Sequence, residues 1–78
     1  MPKLVPVSAK KMFKILQTLG FELVRVKGSH HFFLNQRTSK TTTVPFHAGE
    51  DLGVGLIKEI LRDINLSVDE YEKARKKV

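Results

Sequence analysis

The chain has no cysteine and no tryptophan among its 78 residues, and it has only three prolines and one tyrosine. Without cysteine there is no disulfide and no thiolate metal ligand, so the core must hold by packing alone, as expected of a cytoplasmic protein. No apolar run nears the roughly 18 residues that a membrane span requires. The opening Met1-Pro2-Lys3-Leu4-Val5-Pro6 is too short and too broken by proline to act as an export signal. Internal repeats and low-complexity stretches are missing too. The glycine-bearing stretch at 49–55 lacks the Lys-Ser/Thr pair that ends a phosphate-binding loop, which argues against nucleotide binding. A hydrophobic fraction of 41% is ordinary for a globular protein. One domain over 1–78 is therefore expected, with its core at about 8–66 and a tail at 67–78.

Acid is scarce where base is plentiful. The formal net charge is +6, and the first twenty residues carry Lys3, Lys10, Lys11 and Lys14 with no carboxylate. Residues 21–47 add Arg25, Lys27, Arg37 and Lys40 against Glu22, whereas 48–66 sum to −2 and the last twelve residues to +1. Basic clusters of this kind attract polyanions by counterion release.

Hydrophobic periodicity divides the chain into five or six elements. Ser8 is suited to cap a first helix, in which Met12, Phe13, Leu16 and Leu19 recur at helical spacing and Gly20 ends the run. Phe21–Val26 is short and β-rich, Lys27-Gly28 turns the chain, and Ser29–Asn35 reads as a second strand. Gln36–Lys40 is a polar hairpin loop, and Thr41–Val44 a third strand closed by Pro45. Ala48–Gly53 reads as a loop bringing Glu50 and Asp51 to the N-terminus of a second helix, where carboxylates are favoured. That helix carries Leu56, Ile57, Ile60, Leu61 and Ile64, and Asn65 is suited to end it. Ser67-Val68-Asp69-Glu70 is a capping-box pattern that opens a short tail, frayed or helical.

The expected fold is therefore α+β, in the order α-β-β-β-α with a possible short C-terminal helix. Three antiparallel strands make one sheet. Both helices bury their apolar stripes on one face of it, and the other face is left open. This is the architecture of a double-stranded-RNA-binding domain. Gly53-Val54-Gly55, however, stands where such modules carry a lysine cluster, so the usual duplex-docking surface is not expected here.

Chemistry concentrates at Lys27-Gly28-Ser29-His30-His31, a glycine turn leading into a strand that begins with two histidines. Histidine is the side chain most ready to exchange a proton near neutral pH. RNA carries its own nucleophile, the 2′-hydroxyl, so its cleavage needs only a proton acceptor, a proton donor and charge stabilisation. Arg25, Lys27 and Lys40 are candidates to hold the phosphate, and the backbone of Gly28 and Ser29 to add N–H donors. His47 and Lys27 are candidates for a second proton-transfer group. No metal or other cofactor is expected: adjacent histidines on a strand point to opposite faces, and His47 with Glu50 and Asp51 matches no metal spacing.

Four blocks in order carry a family resemblance. They are Leu19-Gly20-Phe21, then Arg25 through Phe33, then Thr43-Val44-Pro45-Phe46-His47, and finally Asp51 through Ile57 with Ile60-Leu61. From about Met12 to about Leu66 the chain resembles the HicA (YcfA-like) toxins of bacterial and archaeal toxin–antitoxin systems. The resemblance implies a dsRBD-like fold and an mRNA interferase, a metal-independent endoribonuclease that cleaves single-stranded mRNA and is inhibited by a HicB antitoxin.

The functional histidine of the family follows the Gly-Ser pair, which carries over to His30. Alternation alone puts His30, Phe32 and Leu34 on one face and Ser29, His31 and Phe33 on the other, without saying which is core. The family usually has an aromatic at the position of Phe33 and tolerates polar groups at Phe32. That pattern favours His30 on the open side, with His31 as the alternative catalytic group. A second functional class stays open, a non-catalytic RNA-binding module whose basic face and Phe32 grip single-stranded bases.

Overall fold

The computed structural model describes residues 3–78. Its elements, in order, are β1 (Val7–Ser8), α1 (Ala9–Thr18), β2 (Glu22–Lys27), β3 (His30–Asn35), β4 (Lys40–Pro45), β5 (Asp51–Leu52), α2 (Val54–Asp63) and α3 (Val68–Lys76). The fold is α+β, with a three-stranded antiparallel sheet in the order β2-β3-β4 and helices packed on it. Among the described residues no helix is long and apolar enough to cross a membrane.

Local signals set the helix ends. The Ser8 side chain accepts the Lys11 N–H at 3.1 Å and so caps α1. Gly20 takes φ +94 just beyond the helix, a conformation that strains any residue with a Cβ. Asn65, at φ 54, serves the same purpose after α2. The capping box at Ser67 and Glu70 is complete, and the tail is helical.

The structure departs from the sequence expectations in four places. Strand ends differ from expectation by about one residue. β2 runs to Lys27 while Phe21 is buried in the core, β3 starts at His30, and Lys40 and Pro45 belong to β4, because the register of pairing sets strand ends. Two further strands, β1 and β5, form a separate antiparallel pair, with Val7 opposite Leu52 and Ser8 opposite Asp51. That pairing removes Asp51 from the approach to α2, whose first turn holds no acid and whose N-cap, Gly53, makes no side-chain bond. The buried set also exceeds 8–66, running from Leu4 and Val7 to Tyr71 and Ala74.

The core lies between the sheet and the helices. Met12, Ile15 and Leu16 of α1 meet Phe33 and Val44 of the sheet, Ile57, Ile60 and Leu61 of α2, and Tyr71 of α3. Ile15 is fully buried and joins the expected stripe, while Phe13 and Leu19 are half-buried at its margins. Thr42, also facing the helices, is buried and donates its hydroxyl to Asp63 Oδ2 at 3.0 Å, pinning β4 to the end of α2. All six residues of β2 are exposed, so the helices cover β3 and β4 and leave the β2 edge bare.

Candidate functional site

The turn between β2 and β3 has two residues, Gly28 and Ser29. Gly28 has φ +59 and Ser29 has no positive φ, the pattern of a type II′ hairpin turn with glycine first. A Cβ added at Gly28 would meet nothing within 4 Å, so glycine is needed here for its backbone angle rather than for clearance. Neither the Gly28 nor the Ser29 N–H donates a turn bond among the described residues.

Cross-strand register decides which side chains share a face. On β3, Phe33 is 1% exposed and points into the core, so His31 and Asn35 lie on the helix side and His30, Phe32 and Leu34 on the open side. Lys27 stands opposite His30, and Arg25 opposite Phe32. From β4, Pro45 stands opposite His30 and Thr43 opposite Phe32. Residues directly opposite in an antiparallel pair have Cβ atoms about 4.5–5.5 Å apart. The open face thus carries a row of Lys27, His30 and Pro45 beside a row of Arg25, Phe32 and Thr43.

A bulge makes this arrangement possible. Leu23 pairs with Phe33 and Arg25 with Phe32, which leaves Val24 without a partner. In a regular strand Leu23 and Arg25 would point the same way. The extra residue lets Leu23 side with the helices while Arg25 and Lys27 turn to the face of His30. Simple alternation misses this, and no residue type in β2 announces it.

The two histidines have different surroundings. His30 is exposed, and His31 is half-buried in an aromatic cradle of Phe13 and Phe46, with ring centroids 4.9 Å and 5.8 Å away. Phe13 also meets Phe33 at 5.3 Å and Phe46 at 6.0 Å. The His31 Nδ1–H donates to Ser29 O at 3.1 Å, because a carbonyl oxygen can only accept. The same oxygen accepts the Phe46 N–H at 2.7 Å. Helical spacing marks Phe13 only as core and no pattern singles out Phe46, yet together they seat the ring that holds the turn.

Among the residues singled out from sequence, Arg25, Lys27, Gly28, Ser29 and His30 come together. Lys40 does not. It stands opposite Asn35 at the far end of β3, five residues from His30 and so about 17 Å along the strand. By the alternation of β4 it also belongs to the other face. His47 is exposed and borders a depression with Phe46, Glu50 and the first turn of α1 at Ser8 and Lys10, rather than lying on the open sheet face. Among the described residues, no three of His, Cys, Asp and Glu converge as metal ligands.

Among the described residues no ion pair engages Arg25 or Lys27. The one ion pair among the described residues joins Arg75 and Glu72 at 2.8 Å, well away from β2. Arg25 instead has its guanidinium carbon 5.7 Å from the centroid of the Phe32 ring. Glu22, at the far end of β2, accepts a bond from Gln36 Nε2–H at 2.7 Å.

A comparison with curated proteins gives no match. A family model described as HicA toxin of bacterial toxin-antitoxin matches residues 9–66, the span that contains the turn, both histidines, all three strands of the main sheet and α2. With most of its length accounted for in this way, the chain belongs to the HicA toxin family, the toxin side of a toxin–antitoxin pair.

Proposed function

We propose that this toxin is an endoribonuclease that cuts single-stranded mRNA with His30 as the proton acceptor and without a metal ion. The observation that carries the reading is the pairing of an exposed imidazole with Lys27 directly across the strand, on the sheet face opposite the described helices. A neutral His30 takes the proton of a ribose 2′-hydroxyl as that oxygen attacks the adjacent phosphorus. The bond from phosphorus to the 5′-oxygen breaks, that oxygen leaves with a proton, and a 2′,3′-cyclic phosphate remains on the upstream product. General-base help of this kind is worth about 10²–10⁴-fold. Lys27 and Arg25 offset the negative charge that builds on the phosphoryl oxygens. Lys27, as the nearer cation, is also the favoured donor to the leaving oxygen, ahead of His47, which borders the α1 side.

A HicB-type antitoxin would silence the enzyme by covering this face. Arg25 and Lys27 call for acidic groups on the covering surface, and such complementarity speeds association at low salt.

The test is cleavage of a single-stranded RNA by purified protein in excess EDTA. Wild type is expected to cut and to leave 2′,3′-cyclic ends. His30→Ala and His30→Gln are expected to keep the wild-type circular dichroism spectrum and to lose cleavage. A folded His30→Ala protein that cuts at the wild-type rate removes His30 from the mechanism. Inhibition of wild type by EDTA removes the metal-free account. A wild type that binds RNA and never cuts it leaves the binding-module reading in its place.

A further inference from the structure

We infer that Phe32, together with Arg25, forms a subsite for an unpaired nucleobase adjoining the linkage at His30. The inference rests on the proposed RNA chemistry and adds what that chemistry does not require, an aromatic platform that selects single strands.

Phe32 is out of place as a core residue. The neighbouring Phe33 is 1% exposed and packs on Phe13, whereas Phe32 is half-buried and points to the side of the sheet away from the described helices. Its cross-strand neighbours are Arg25 and Thr43, neither of which supplies an apolar cover. An aromatic ring on an open sheet face is the device by which sheet-based RNA-binding domains stack bases, and stacking is available only to bases not held in a duplex.

Arg25 enlarges the platform. Its guanidinium carbon, 5.7 Å from the ring centroid, sits near the roughly 6 Å limit of a cation–π contact. A stacked base can replace this contact, which frees the guanidinium to stack on the base in turn or to bond a phosphate.

Spacing ties the platform to the reaction. Phe32 and His30 are two residues apart on one face of β3, hence about 6.7 Å along the strand. That is close to one nucleotide of an extended single strand. A phosphate held between Lys27 and His30 therefore leaves the adjoining base beside Phe32. The third row, Glu22 and Leu34, lacks both an aromatic ring and a cation, so the track ends after one base.

Tryptophan is absent from the chain, so Phe32→Trp introduces a single reporter at the subsite. In a His30→Ala background, which prevents turnover, a short single-stranded RNA is expected to quench its emission. The same sequence annealed into a duplex is not, nor is inorganic polyphosphate, which offers charge without bases. Phe32→Leu keeps apolar bulk but lacks a π face. It is expected to weaken single-stranded RNA binding by between about 5-fold and 150-fold, with polyphosphate binding unchanged and Phe32→Tyr close to wild type.

Equal quenching by duplex, or a Phe32→Leu protein that melts and binds RNA like wild type, overturns the subsite. So does a Phe32→Leu defect confined to antitoxin binding, which would assign the ring to the protein partner. The two readings fail separately. Base-dependent quenching without cleavage by the Phe32 wild type sinks the nuclease and keeps the subsite, whereas cleavage with no base-dependent quenching does the reverse.

Discussion

Ser29 O accepts two hydrogen bonds, from Phe46 N–H at 2.7 Å and from the His31 ring at 3.1 Å, and the turn before His30 depends on both. Replacing the ring separates its two contributions. His31→Phe keeps an aromatic ring in the cradle of Phe13 and Phe46 but removes the donor, and a typical hydrogen bond contributes about 0.5–1.5 kcal/mol net. His31→Ala removes the donor and also opens the aromatic cluster, whose pairs add about 0.5–1.5 kcal/mol each beyond burial. Urea titrations followed by circular dichroism should therefore rank wild type above His31→Phe by about 1 kcal/mol and place His31→Ala lowest. A His31→Phe protein as stable as wild type would show that the Phe46 N–H alone holds the turn. At this scale the sequence was legible in part. It offered the motif and the parity of β3, but the side of the core followed only from a family pattern at Phe33. The bulge at Val24, which aims Arg25 and Lys27, depends on a register that no single residue encodes.

Among whole elements, α3 shows how local and distant signals combine. Its capping box is written in four adjacent residues and was readable, but its docking was not, because Tyr71 and Ala74 are the only buried residues in nine. The short pair β1 and β5 left even less trace, since two residues per strand show no periodicity and the pairing spans most of the chain. The Tyr71 side chain is fully buried, and its hydroxyl has no hydrogen-bond partner among the described residues. Tyr71→Phe removes an unpaired polar atom and keeps the ring. It is expected to leave stability unchanged or to raise it by about 1 kcal/mol, whereas Tyr71→Ala should cost about 3–5 kcal/mol.

Two carboxylates of the same helix add to stability on the acid side. Bonds from the Ser67 backbone N–H and hydroxyl hold the Glu70 carboxyl below its ordinary 4.5, and the Arg75 guanidinium does the same for Glu72. Charged carboxylates therefore favour the folded state. Their contribution is complete above the ordinary value of about 4.5 and disappears as pH falls through the lowered folded values. Burial raises the Tyr71 hydroxyl above 10.0, so its contribution is present below that value and is lost as pH rises through the raised one. Tyr71 is the sole tyrosine, and its near-ultraviolet signal should report α3 loosening at both limits. A signal that stays native-like at either limit until the whole chain unfolds would show that α3 docks independently of all three groups.

Across the whole molecule, the fold redistributes the charges that the sequence groups together. Arg25, Lys27 and Lys40 all fall in the basic half, but folding separates them. The hairpin sets Lys27 opposite His30, and the loop at 36–39 sets Lys40 opposite Asn35 at the other end of the sheet. Asn35 fixes that remote end. Its side-chain oxygen accepts from Arg37 N–H at 3.0 Å and Thr38 N–H at 3.3 Å, and its amide donates to Leu19 O at 3.4 Å. The two lysines should therefore differ in how they affect RNA. Each phosphate neutralised on a single strand contributes about 0.7 to the slope of log affinity against log salt. Lys27→Gln is expected to lower that slope by about 0.7 and to weaken binding to every RNA sequence alike, because a phosphate contact carries no base information. Lys40→Gln is expected to leave the slope almost unchanged for an RNA just long enough to cover His30 and Phe32. Fluorescence anisotropy across a salt series reads both. If Lys40→Gln proves the more damaging, the RNA track runs along β4 toward the loop at 36–39, and the row of Lys27 and His30 loses its claim to the scissile phosphate.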